Sequence, residues 1–107
     1  MARRSDLVIA RVFYSDSAES KMRPCIVLSG ERYNSTGYVM VAPMTTAGDE
    51  YCLPIVESDA DCRIAPGSGI RADIIMRLQH SQIIKKIGRA KDEFYWELVG
   101  KIRELIE

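Results

Sequence analysis

Three short stretches of this 107-residue chain carry side chains suited to handling a phosphate group. Lys21-Met22-Arg23-Pro24 ends a polar loop and leads straight into an apolar run, Cys25-Ile26-Val27-Leu28. Proline fixes its own φ and pushes the residue before it into extended backbone. Arg23 is therefore held at a strand entrance, with its guanidinium aimed by a stiff piece of chain. A pre-aimed planar fork of donors is what bidentate recognition of a phosphate or carboxylate needs. Pro43-Met44-Thr45-Thr46 sets two hydroxyls after a second proline, and Ile70-Arg71-Ala72-Asp73 adds another guanidinium and a carboxylate.

This set suits phosphoryl transfer without a metal. In RNA the ribose 2′-hydroxyl can attack its own phosphate, leaving a cyclic phosphate and a free 5′-hydroxyl. The reaction needs proton removal, stabilisation of a crowded phosphorane and help for the leaving oxygen. Arg23 fits the stabilising role and not a proton-donor role, since its pKa lies above about 12. Thr45 fits as a group that orients the 2′-hydroxyl or hydrogen-bonds a non-bridging oxygen. Asp73 starts from an ordinary carboxylate pKa near ~3.9, low for a base. Arg71 on the same strand face lowers it further, which favours a positioning or RNA-contacting role. Lys21 and Thr46, beside the two principal groups, are candidate supporting or RNA-binding residues. Structural alternatives stand next to each reading. Arg23 has the composition of a loop arginine in a surface ion pair, Thr45-Thr46 of a turn, and Arg71/Asp73 of a same-face ion pair. His80, after a strand, reads as a surface residue. Asp59/Asp61 lacks the glycine and distal glutamate of a calcium loop and reads as solvated loop.

The positioning elements are mostly strands. Leu7 to Tyr14 is rich in β-branched and aromatic residues and predicts a first strand. A polar loop follows over Ser15 to Met22, then a second strand from Cys25 to Ser29. Gly30 to Gly37 reads as a turn-forming connection, and Tyr38 to Met44 as a third strand. Thr45 to Glu50 is a small-residue loop, and Tyr51 to Val56 a short fourth strand. Pro54 cannot donate to a ladder, which puts that strand at an edge or a bulge. An acidic loop spans Glu57 to Ser68. Ile70 to Met76 predicts a fifth strand with Ala72, Ile74 and Met76 on one face. Arg77 to Ser81 reads as a turn or short helix and Gln82 to Gly88 as a sixth strand. Phe94, Tyr95, Leu98, Val99, Ile102, Leu105 and Ile106 recur at helical spacing and predict a C-terminal helix. Trp96 falls off its stripe, and Gly100 is explained if the helix packs closely there. The expected fold is a small, mainly β, strongly curved antiparallel barrel of about six strands with that helix on or beside it.

Length allows one domain, 1–107. The 47% hydrophobic and 28% charged fractions are those of an ordinary globular protein, and the formal net charge is zero. Charge is unevenly placed: residues 48–62 carry five acids and no Lys or Arg, whereas 70–91 carry six cations against Asp73. A neutral protein with one basic segment can still present an anion-binding surface. Three cysteines and one histidine are too few for a Cys/His zinc set, so no metal is expected. Reduced thiols in the cytoplasm are the simplest account, with Cys25 and Cys52 as small core residues. The basic start, Met1-Ala2-Arg3-Arg4, leads into an apolar run broken by Asp6 and Arg11, so neither a signal peptide nor a membrane span is read.

Taken in order, six parts resemble the MazF/PemK family of toxin endoribonucleases. They are the opening strand from Asp6, Arg-Pro-Cys-Ile-Val-Leu-Ser at 23–29, Ala-Pro-Met-Thr-Thr at 42–46, Gly-Ile-Arg-Ala-Asp at 69–73, Ile-Ile-Lys-Lys-Ile-Gly-Arg at 83–89 and the closing helix. The resemblance covers Asp6 to Ile106. It implies an SH3-like barrel, a homodimer, metal-independent and cofactor-free cleavage of single-stranded RNA, and neutralisation by a cognate antitoxin. By position, Arg23 matches the family's catalytic arginine and Thr45 its catalytic threonine. Arg71 and Asp73 match an Arg-x-Asp pair given catalytic or RNA-binding roles in some members. Lys21-Met22 stands where members often carry glycine, and the first loop has no histidine, so the chemistry rests on Arg and Thr. Two other readings exist. One is a non-catalytic, CcdB-like gyrase-binding toxin, although Leu105-Ile106-Glu107 does not supply its Trp-Gly-Ile tail. The other is a degenerate barrel that only binds RNA or protein.

Overall fold

The computed structural model describes residues 2–13 and 21–107. Seven strands and two α-helices follow in the order β1 (Asp6–Val12), β2 (Lys21–Val27), α1 (Glu31–Asn34), β3 (Tyr38–Thr45), β4 (Cys52–Pro54), β5 (Gly69–Arg71), β6 (Met76–Gln79), β7 (Ile83–Arg89) and α2 (Asp92–Ile106). Single turns of 3-10 helix lie at Glu57–Asp59 and His80–Gln82. All strand pairs are antiparallel, in the order β4-β5-β3-β2-β1-β7 with β6 also on β3. An isolated bridge from Ala60 to Ala90 ties the loop after β4 to the end of β7, drawing the two ends of that path together. The mainly β antiparallel fold with a C-terminal helix is thus the expected one, with seven strands among the described residues in place of about six.

Successive strand residues point to opposite faces, and here both faces of the central strands are buried. Leu7, Ile26, Ala42 and Met44 join Phe94 and Leu98 of α2 in one apolar cluster. Val8, Ala10, Val12, Cys25, Val27, Val39 and Val41 form a second. That is why the strands read as near-continuous apolar runs. Tyr95 donates its hydroxyl to Leu28 O at 2.6 Å and fixes α2 to the end of β2.

Some boundaries differ from the sequence expectation. β2 begins at Lys21, so Arg23 and Pro24 lie inside the strand. Proline is tolerated because β2 pairs with β1 from Lys21 to Ile26 but with β3 only from Cys25 to Val27. Tyr14 and most of the expected Ser15–Met22 loop lie outside the described residues. The Gly30–Gly37 connection contains α1, and Gly37, at φ +94°, takes a left-handed conformation suited to glycine. The expected strand Ile70–Met76 is two strands, β5 and β6, separated by a turn at Ala72-Asp73. The Arg77–Ser81 stretch belongs mostly to β6 and its following 3-10 turn. β4 is the terminal strand of the path, consistent with Pro54. Close packing does not explain Gly100, because a Cβ there would meet nothing within 4 Å. The α2 stripe is buried at Phe94, Tyr95 and Leu98, whereas Leu105 and Ile106 are exposed.

Candidate active site

A cleft of about 490 Å³ opens where β2 and β3 part company. The last residues they share are Cys25 and Pro43, opposite one another. Beyond that pair β2 continues beside β1, while Met44 and Thr45 turn to β5. Pro24 and Pro43 punctuate the split, since neither carries the N–H needed to extend a ladder. Arg23 and Pro24 form one side of the opening, and Thr45, Thr46 and Ala47 the other. Proline-marked strand ends therefore become two walls of one cleft.

Thr45 is fixed from two directions. It pairs with Gly69 on β5, where a Cβ would press to 3.3 Å from Cys52. Its hydroxyl oxygen accepts the Ala47 N–H at 3.1 Å, which closes the turn. The turn and chemical readings of Thr45 are thus compatible. With its oxygen so engaged, the hydroxyl still has its own proton to donate. Arg23 is half-buried and lies opposite Ala10 of β1. Beneath it, burial pushes the Cys25 thiol up to about 12, against the smaller opposing pull of the Arg23 charge. A thiol held protonated in this way is a core residue and not a nucleophile.

A second guanidinium on the cleft, Arg63, escaped the sequence reading. Its loop is held by Ile64 in the core, by Asp61 Oδ1 accepting the Arg89 N–H, and by Cys62 against Gly88. A Cβ on Gly88 would stand 2.5 Å from Cys62 Sγ, so glycine is required for this approach. The available signal was one cation at the end of an acidic loop, directly before a buried isoleucine.

Arg71 and Asp73 are absent from the lining of this cleft. Arg71 ends β5, and Asp73 reaches it from the following turn instead of from the same strand face. Arg71 Nε and Nη2 donate to the two Asp73 oxygens at 3.0 and 2.9 Å, and Nη2 also reaches Asp49 at 3.2 Å. The hydrogen bond from Arg71 holds the Asp73 carboxyl below the usual carboxylate range. Asp49 in turn accepts the Tyr51 N–H, so the cluster buttresses the loop that follows Thr45-Thr46. Lys21 is exposed at the start of β2, next to exposed Met22.

The remaining polar candidates have local tasks. The His80 ring donates to Asn34 O at 2.9 Å and ties the 3-10 turn after β6 to α1. Asp59 and Asp61 are not merely solvated: they accept the Val56 and Arg89 N–H groups. Cys25 and Cys52 are buried and unpaired as disulfides. No described helix is long and apolar enough to cross a membrane.

This fold and cleft belong to a recognisable class. Residues 3–106 match the family described as PemK-like, MazF-like toxins of type II toxin–antitoxin systems, and the chain belongs to that family. Over 90 residues it is 28% identical to the endoribonuclease toxin ChpB of Escherichia coli K12, covering 79% of this chain and 75% of that protein. A MazE–MazF crystal structure from Deinococcus radiodurans superposes with a TM-score of 0.77 at 21% identity, covering 98% of this chain and 95% of its counterpart. Mycobacterium tuberculosis toxin MazF-mt6 gives a TM-score of 0.75 at 20% identity, covering 94% and 95%.

Proposed function

We propose that the chain is the toxin of a type II toxin–antitoxin pair and cleaves single-stranded RNA, mRNA included, as a metal-independent endoribonuclease. The observation that carries this reading is the convergence of Arg23, Thr45 and Thr46 on the cleft between β2 and β3. Membership of the toxin family and likeness to a protein named as an endoribonuclease toxin support it.

In the proposed reaction the 2′-hydroxyl loses its proton and its oxygen bonds to the adjacent phosphorus. The bond from phosphorus to the 5′ oxygen breaks, and that oxygen takes up a proton. The products are a 2′,3′-cyclic phosphate and a 5′-hydroxyl. Negative charge grows on the non-bridging oxygens in between, where a preorganised donor contributes most. Arg23 supplies that donor as a planar, permanently charged fork. Thr45 donates its hydroxyl proton to the same phosphate or fixes the 2′-hydroxyl. Thr46 and Lys21 support the strand on either side, and Arg71 with Asp73 stiffens the Thr45 loop. We also propose a cytoplasmic homodimer held inactive by a cognate antitoxin.

The test is incubation of the purified chain with mixed-sequence single-stranded RNA in excess chelator, followed by analysis of the fragment ends. Cyclic phosphate and 5′-hydroxyl ends are expected. Intact RNA, or cleavage only after metal is added, would overturn the proposal.

A further inference from the structure

A second basic depression lies at the other end of β1, where no role has been assigned. It has a volume of about 590 Å³ and is bounded by Arg3, Arg4, Arg89 and Glu31. Arg3 and Arg4 are presented by an unusual turn. The Asp6 N–H donates to Arg3 O at 3.0 Å, closing a four-residue turn with Ser5 at its third position. Ser5 has φ +76°, a left-handed value that such a turn ordinarily gives to glycine, and it is buried. The turn is pinned in place: Ser5 N–H donates to Val27 O, Ser5 O accepts Ala90 N–H, and Asp6 Oδ2 accepts Arg3 N–H.

The guanidiniums themselves are organised. Arg4 lies 5.3 Å from the Tyr95 ring centroid and 5.2 Å from that of Trp96. Those two rings meet edge to face at 4.9 Å. Arg4 is thus clamped on aromatic faces, while Trp96 remains 54% exposed. Arg89 enters from the end of β7, 3.7 Å from buried Asp6, which Lys86 also reaches at 3.2 Å. Three guanidiniums (Arg3, Arg4, Arg89) therefore line the depression against one acid, Glu31. The surplus is two positive charges.

We infer that this depression is a second anion site, which takes a phosphate and its neighbouring base from single-stranded RNA outside the cleavage cleft. The guanidiniums hold the phosphate and the exposed indole of Trp96 stacks the base. This rests on RNA being the substrate, as proposed above. Arginines in a fixed array match phosphate geometry, and aromatic stacking beside them is the device by which single strands are held without sequence readout. An acidic peptide would engage the arginines and leave the indole unused, so the observations favour a nucleotide.

Trp96 is the one tryptophan in the chain, so its emission reports on the site directly. The full chain carrying Arg23→Ala, to spare the RNA, is titrated with a mixed-sequence single-stranded RNA 12-mer. Saturable quenching of Trp96 is expected. Adding Arg3→Ala, which removes the side chain but keeps the backbone bonds of the turn, should weaken binding about tenfold. It should also lower the slope of log K against log salt by ~0.7. RNA that leaves Trp96 emission unchanged overturns the inference, as does quenching insensitive to salt and to Arg3→Ala. Quenching by polyglutamate equal to that by RNA also overturns it, in favour of a protein partner. If RNA quenches Trp96 as described but the unsubstituted chain does not cleave it, the cleavage reading fails and this site stands.

Discussion

Arg23 on β2 and Arg71 on β5 are the same residue type on the two strands that flank β3, and the fold puts them in different places. Arg71 is closed off by Asp73 and Asp49, three side chains that satisfy one another. Arg23 lines a cleft shared with Thr45, Thr46 and Arg63. A guanidinium between two carboxylates stiffens the chain around it. A guanidinium on the wall of a cleft that also carries two threonines is placed to meet a phosphate entering it, as proposed above. Charge and spacing in sequence do not separate these cases, whereas the place of each arginine in the fold does.

The contrast can be broken most easily at Arg23. Arg23→Ala should lower kcat/KM for RNA cleavage by at least ~10²-fold, the scale for losing one preorganised charge-stabilising donor. Its melting temperature should stay close to that of the unsubstituted chain. Thr45→Val, which keeps the shape and removes the hydroxyl, should cost about tenfold, whereas Thr45→Ser should keep most activity. Cleavage rates of both variants under single-turnover conditions check this.

At the other region the expected currency is stability. Arg71→Met leaves Asp49 and Asp73 facing each other without their cation and should cost about 1 kcal/mol, read by denaturant unfolding. The Asp73 carboxyl is depressed in the fold, so its contribution is present above the ordinary carboxylate pKa and is lost as pH falls through the folded value, below about pH 4. Asp73→Asn should therefore flatten the fall of stability below about pH 4, by no more than ~1 kcal/mol for so exposed a pair. A smaller effect is expected away from both regions. Gly100→Ala, with open space for its methyl, should raise stability by up to ~1 kcal/mol and leave cleavage unchanged.

Much of this was legible in the sequence because the relevant signals are local. β-Branched runs marked most of the strands, helical spacing marked α2, and Arg-Pro and Pro-Met-Thr-Thr marked the two walls of the cleft. What was missed depends on contacts distant in sequence. Asp49 lies 22 residues from Arg71, and nothing in either segment signals the pairing. Arg63 reaches the cleft because Cys62 packs on Gly88 and Ile64 enters the core. Burial alternates from Arg71 to Gln79 as one strand would require, which hid the turn that splits β5 from β6. The left-handed Ser5 could not be read either, because the bonds that hold it come from Val27 and Ala90.

The central claim, that Arg23 stabilises the reacting phosphate while Arg71 supports structure, is tested most directly by measuring both variants side by side. Single-turnover cleavage of mixed single-stranded RNA in chelator is compared with unfolding for Arg23→Ala and Arg71→Met. The account predicts cleavage lost at least ~10²-fold with stability kept for the first. For the second it predicts stability lost with cleavage reduced less than ~10-fold. Arg23→Ala cleaving normally, or Arg71→Met being the variant that loses cleavage without losing stability, would contradict it.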